Sequence, residues 1–132
     1  MKRELSPTMI LLADDDQLVL NVMHGILTHF GFEVLIAHDG EEALRCYEEH
    51  AHTIDLLLFD QRMPKMRGEE VVRIIRARAR YPVPAILISG TRLADSDIYF
   101  AQGKDLVFVN KPFSVPVLVD LVKDLVASRS PL

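Results

Sequence analysis

Long apolar runs, paired cysteines, internal repeats and an excess of positive charge are all missing from this 132-residue chain. No apolar stretch approaches the roughly 20 residues of a membrane span, and the opening MKRELSPT lacks the apolar core of a secretory signal. A soluble, cytoplasmic protein with no membrane partner is expected. Cys46 is the single cysteine, so no internal disulfide forms, and beside Ala43 and Tyr47 on a predicted helix it reads as a small packing residue. The net charge of -4 argues against general affinity for nucleic acid. No linker or low-complexity segment divides the chain, and its length leaves no room for a second domain. One domain over residues 9–127 is expected, with loose ends at 1–8 and 128–132.

What is present is an alternation of short apolar runs and helical stripes, repeated five times. Met9 to Ala13, Glu33 to Ala37, Leu56 to Phe59, Ala85 to Ser89 and Leu106 to Val109 read as strands, in apolar runs typical of buried parallel sheet. A first helix is expected from Gln17 to Phe30, with Leu18, Val22, Ile26 and Phe30 on one stripe and Gly31 ending it. Asp39 is suited to cap a second helix running to His50, with Ala43, Leu44 and Tyr47 inward. A third carries Val71, Val72, Ile74 and Ile75 and stops before Tyr81 to Pro84. A fourth is expected near Ala94 to Gln102, although Ile98, Tyr99 and Phe100 are consecutive and form no stripe. Ser114 can cap the last, where Leu118, Leu121, Val122 and Leu125 share a face.

Five such units imply right-handed crossovers and a three-layer α/β sandwich of the flavodoxin-like (βα)5 kind, with parallel sheet order 2-1-3-4-5. That order places the first and third strands side by side at the switch point, where the carboxyl ends of strands form a ligand crevice. Asp14, Asp15 and Asp16 follow the first strand, Asp60 the third, Ser89 the fourth and Lys111 the fifth. Asp14, Asp15 and Asp60 are then neighbours, flanked by the Ser89 hydroxyl and the Lys111 ammonium, while Asp16 is placed to cap the first helix. Such a set suits a hard divalent cation and a phosphoryl group.

Over about Met9 to Ala127 the chain resembles the receiver domain of two-component response regulators, on the strength of ILLADDD, DLLLFDQRMPKMRG, the pair Ser89 and Gly90, and VNKPF in that order and spacing. The resemblance implies Asp60 as phosphoacceptor, and Asp14 and Asp15, with the backbone carbonyl of Arg62, as ligands of Mg²⁺. It further implies Ser89 as the switch hydroxyl, Lys111 as the partner of a phosphoryl oxygen, Phe108 as the aromatic switch residue and a cis peptide before Pro112. Arg62 and Thr91 fall at the positions that tune hydrolysis of the acyl phosphate. The implied partner is a histidine kinase or histidine phosphotransfer protein, with an unknown output partner on the side of the fourth and fifth strands and helices. The protein is then a signalling phosphoacceptor, not an enzyme acting on other substrates. The last third, from ISGTR to NKPFSVPVL, is most similar to receivers at the C-terminus of hybrid histidine kinases. Gly103 stands eight residues before Lys111, one more than is usual in such receivers.

Other readings stand beside this one. LLADDDQL also fits a haloacid-dehalogenase-type phosphatase with Asp14 as nucleophile, although the chain has no room for a cap domain. An interaction module that keeps the fold without the chemistry is the other alternative. Arg62, Lys65, Arg67, Arg73, Arg76, Arg78 and Arg80 form a basic stretch, but Glu69 and Glu70 interrupt it and no nucleic-acid motif accompanies it, so direct DNA binding is not expected. His50 and His52 lack partners at zinc spacing. Ile98, Tyr99 and Phe100 suit either packing or a partner surface.

Overall fold

The computed structural model describes residues 7–79, 82–90, 98–100 and 105–128. Six strands and four helices are formed among them: β1 (Met9–Ala13), α1 (Gln17–His29), β2 (Glu33–Ala37), α2 (Gly40–His50), β3 (Leu56–Asp60), α3 (Gly68–Arg78), β4 (Ala85–Ser89), β5 (Ile98–Phe100), β6 (Leu106–Asn110) and α4 (Val115–Ser128). One sheet runs in the order β2-β1-β3-β4-β6-β5. Its five parallel members keep the expected 2-1-3-4-5 arrangement. Every residue of β3, β4 and β6 is buried. Two apolar layers result. One packs Leu20, Met23 and Leu27 of α1 and Leu118, Val122 and Leu125 of α4 against the sheet; the other packs Ala43 and Tyr47 of α2 and Val71, Val72 and Ile75 of α3 against its opposite face. No helix among the described residues is long and apolar enough to cross a membrane.

Two expectations are corrected. Residues 98–100 of the expected fourth helix form β5, antiparallel to β6, while its remaining residues lie outside the described ones. Three consecutive β-branched or aromatic residues suit a pleated edge better than a helix, which would bury only part of them. The second correction concerns α1, which carries two apolar stripes in competition. The one turned inward is Leu20, Met23 and Leu27, whereas Leu18, Val22 and Phe30 are exposed at 75%, 60% and 44%. An exposed apolar stripe is left on the surface.

The helix ends follow from local chemistry. Asp16 caps α1 by accepting from the Leu18 and Val19 amides, and Gly31, at φ +91°, ends the segment where a side chain would be strained. Asp39 caps α2 through the Glu42 amide, and that bond holds its carboxyl below the usual range. At the far end of the sheet, Arg76 of α3 donates to the Val83 and Asp105 carbonyls, joining α3 to the starts of β4 and β6.

Gly68 has a tighter role. A Cβ there would meet the Asp60 carbonyl oxygen at 2.7 Å and Leu87 at 2.9 Å, so the backbone of α3 lies directly on the end of β3. Gly68→Ala is expected to destabilise the fold by about 1–3 kcal/mol through overpacking, read as a lower urea midpoint with an unchanged slope. An unaltered midpoint would mean that α3 is free to move away.

Candidate functional site

The site is built where β1 and β3 end together. Ala13 pairs with Phe59, so the next residues, Asp14 and Asp60, leave adjacent strands side by side. The Asp14 amide donates to the Ala37 carbonyl, and its Oδ1 accepts from the Asp16 amide at 2.9 Å. Asp14 is thus fixed in the turn while Asp16 caps the helix. Asp14 and Asp60 are buried and Asp15 is exposed. The three offer carboxylate oxygens that lie within 4.8 Å of one another.

Lys111 reaches this cluster from the end of β6. Its Nζ stands 2.9 Å from Asp60 Oδ1, and that bond raises the pKa of the ammonium. Asp60 Oδ2 accepts from the Arg62 amide at 3.1 Å, which fixes the second carboxylate oxygen. Burial pushes the Asp14 carboxyl up to about 6, and the nearby charges of Asp60 and Asp15 add to the rise while the Asp16 amide and Lys111 oppose it. Leu12, Val19, Met23, Leu58, Ile88 and Phe113 help to line a cavity of about 30 Å³ that Asp14, Asp60 and Lys111 also touch. Mostly apolar walls withhold solvation from the acids.

Ser89 is buried at the end of β4, paired with Asn110, and its carbonyl accepts from the Lys111 amide at 2.8 Å. Ile88 pairs with Asp60, which puts Ser89 one residue beyond the acid on the neighbouring strand. Phe108 is buried within β6, and the Lys111–Pro112 peptide is cis. Arg62 is exposed in the turn after β3, and Thr91 lies outside the described residues.

Two supporting groups escaped the reading of the sequence. Gln61 is buried, and its Oε1 accepts from the Glu69 amide at 2.8 Å, so the residue after Asp60 tethers the start of α3. Lys65 adopts φ 73° and pairs with Asp39 at 3.4 Å and Glu41 at 3.5 Å, joining the turn after β3 to α2. Gly40 lets that turn approach, since a Cβ there would meet Met66 Cβ at 2.5 Å. The only sequence signal for these was the run of turn-forming residues between Asp60 and Gly68.

The arrangement is a cluster of excess negative charge with one ammonium against it. Oxygen donors of this kind fit a hard divalent cation such as Mg²⁺, because burial and mutual repulsion both favour a neutralising charge.

Comparisons with known proteins agree with this geometry. Residues 10–123 match the response regulator receiver domain family. The transcriptional regulatory protein CpxR of Escherichia coli (strain K12) is 35% identical over 114 residues, covering 86% of this chain and 47% of CpxR. This chain thus spans about half the length of that relative. Among solved structures, the receiver domain from the hybrid histidine kinase CckA is 34% identical with a TM-score of 0.75, covering 89% of this chain and 98% of that one. A chain of the CheX-CheY-BeF3-Mg²⁺ complex from Borrelia burgdorferi is 27% identical with a TM-score of 0.77, covering 90% and 89%. With its five parallel strands, its acid cluster and the match over residues 10–123, this chain belongs to the response regulator receiver domain family.

Proposed function

We propose that Asp60 accepts a phosphoryl group from a histidine kinase or histidine phosphotransfer protein, with Asp14, Asp15, Asp60 and the Arg62 carbonyl holding Mg²⁺. The observation that carries this reading is the pairing of Lys111 with the buried carboxylate of Asp60 beside two further acids. Mg²⁺, when bound, supplies neutralising charge at the acceptor and at the incoming phosphoryl group. In the transfer, an oxygen of Asp60 forms the new bond to phosphorus as the donor's bond to phosphorus breaks. Lys111 supplies a fixed positive charge for the phosphoryl oxygens, and Ser89 offers them a hydroxyl. The Arg62 amide keeps the carboxylate oriented. Phosphoryl transfer requires mainly this kind of positioning and charge stabilisation. The Borrelia burgdorferi complex, which unites BeF3 and Mg²⁺ with CheX and CheY, supports the same pair of ligands here.

Acetyl phosphate with Mg²⁺, followed by reduction of the acyl phosphate and peptide mapping, tests the reading. The label is expected on Asp60. A label on Asp14 would instead support the phosphatase chemistry, and no label would leave only an interaction module.

The exposed stripe of α1 supports a docking place for the donor. A donor must bring its phosphoryl group to Asp60, and Leu18 and Val22 are the exposed apolar residues that follow the acids in the first turns of the adjoining helix. The double variant L18S/V22S is expected to lower transfer from a phosphohistidine donor by about tenfold and to leave labelling by acetyl phosphate unchanged. Equal loss with both donors would place the fault in the site, not in docking.

A further inference from the structure

Lys65 is the one non-glycine residue at positive φ among the described residues, at 73°. The Met66 amide donates to the Pro64 carbonyl across it at 2.8 Å, so Lys65 is the centre of a three-residue turn of the rare, strained γ kind. Glycine takes such a φ freely, whereas a lysine keeps it only where its surroundings hold it. The hold comes from α2. Lys65 Nζ stands 3.4 Å from Asp39 Oδ2 and 3.5 Å from Glu41 Oε1, and Gly40, between those acids, lies so close to Met66 that a Cβ would meet the Met66 carbonyl oxygen at 2.8 Å. Side chain and backbone thus press the apex of the turn against the start of one helix.

We propose that Lys65 is a positioning residue for the metal site, pinning the turn after β3 to α2 so that the Arg62 peptide is held in place. The proposal rests on the Mg²⁺ reading above. Arg62 orients Asp60 Oδ2 through its amide, and its carbonyl is a proposed ligand, so a displacement of this residue's backbone disturbs the acceptor and the metal shell together. The turn is closed at its base, where the Gly68 amide donates to the Gln61 carbonyl, and Met63 is buried within it. Its exposed apex is tied down by Lys65. The bridge also reaches the other arm of the site. The Asp14 amide donates to the Ala37 carbonyl, and Asp39 follows two residues after that carbonyl. Lys65 therefore links the turn that carries Asp60 and Arg62 to the segment that holds Asp14, the two arms of the acid cluster. An ion pair at the surface contributes little to global stability. Its effect here is to preorganise oxygen donors, which a bound cation then has less need to order.

Titration of Mg²⁺ against the thermal transition of the full chain, together with exchange of the Arg62 amide followed by NMR in EDTA, tests this. Asparagine tolerates positive φ and lacks the ammonium, so Lys65→Asn keeps the turn and removes the bridge. It is expected to bind Mg²⁺ about threefold more weakly, the scale of an exposed ion pair, and to exchange the Arg62 amide about threefold faster. Lys65→Gly, which relieves the backbone as well, should show the same two changes, and Lys65→Arg should retain most of both wild-type values. The sign separates positioning from plain electrostatics, because deleting a cation beside an acid cluster by itself favours binding of another cation. A Lys65→Asn or Lys65→Gly protein that binds Mg²⁺ as tightly as the wild type, or more tightly, rejects this role and leaves the metal site standing. An unchanged exchange rate at Arg62 rejects it equally. A wild type that binds no Mg²⁺ overturns the metal reading and the role of Lys65 with it.

Discussion

Replacing Lys111 by methionine is expected to slow phosphorylation of Asp60 by acetyl phosphate by roughly 10²- to 10³-fold, the usual cost of removing one charge-stabilising donor from a transfer site. Methionine keeps the length and apolar contacts of the stem and removes the charge. The same substitution should act in the opposite direction on the metal. Lys111 lies 2.9 Å from Asp60 and offsets part of the cluster's charge, so it competes with a cation for that carboxylate. Without it, Mg²⁺ is expected to bind about fivefold more tightly, the equivalent of about 1 kcal/mol and the upper end for a half-exposed ion pair. Titration of Mg²⁺ against the thermal transition gives the affinity without any turnover. Opposite signs are the diagnostic feature, since a variant that merely loosened the site would lose both. Lys111→Arg should recover part of the rate, because the charge remains but its geometry differs. A Lys111→Met protein that labels at the wild-type rate would remove the ammonium from the mechanism.

Much of this site was open to inspection in the primary structure because its residues sit at strand ends. A run such as LLLF is buried whichever helix covers it, so the position of the following polar residue is set before any tertiary detail is known. Asp14, Asp60, Ser89 and Lys111 therefore came from sequence pattern together with one topological rule. The face of α1 did not. Leu18, Val22, Ile26 and Phe30 form as regular a stripe as Leu20, Met23 and Leu27, and the choice between them belongs to the crossover that lays the helix on the sheet. β5 was hidden for a related reason. Three apolar residues carry too little periodicity to separate helix from strand, and the partner that decides the matter, β6, is distant from the pattern being read. Gln61 and Gly40 act through local contacts, among them a bond to the Glu69 amide and a close approach of Met66, and such contacts leave no periodic trace.

Asp14→Asn should stabilise the metal-free protein at neutral pH, an unusual result for a buried charged residue beside the proposed acceptor. The Asp14 carboxyl is raised from 3.8 to about 6, first by burial and then by the charges of Asp60 and Asp15. The folded state therefore binds its proton more tightly than the unfolded chain, and stability falls as pH rises from about 4 to about 6. Above that window the full penalty remains, about 2–3 kcal/mol, each tenfold gain in proton affinity being worth about 1.36 kcal/mol. Asparagine carries no charge and keeps an oxygen able to accept from the Asp16 amide, so the turn is preserved. With EDTA at pH 7.5 the variant should melt roughly 8–12 °C above the wild type. At pH 4, where the carboxyl is largely protonated in the folded state and the penalty is small, the difference should nearly disappear. Adding Mg²⁺ at pH 7.5 should raise the wild type toward the variant and leave the variant nearly unmoved, because the neutralising charge then has one carboxylate fewer to bind it. The repulsion that weakens the empty site is thus the same interaction that gives a cation its hold. A wild type that melts above Asp14→Asn in EDTA at pH 7.5 would show that this acid is already well compensated within the fold.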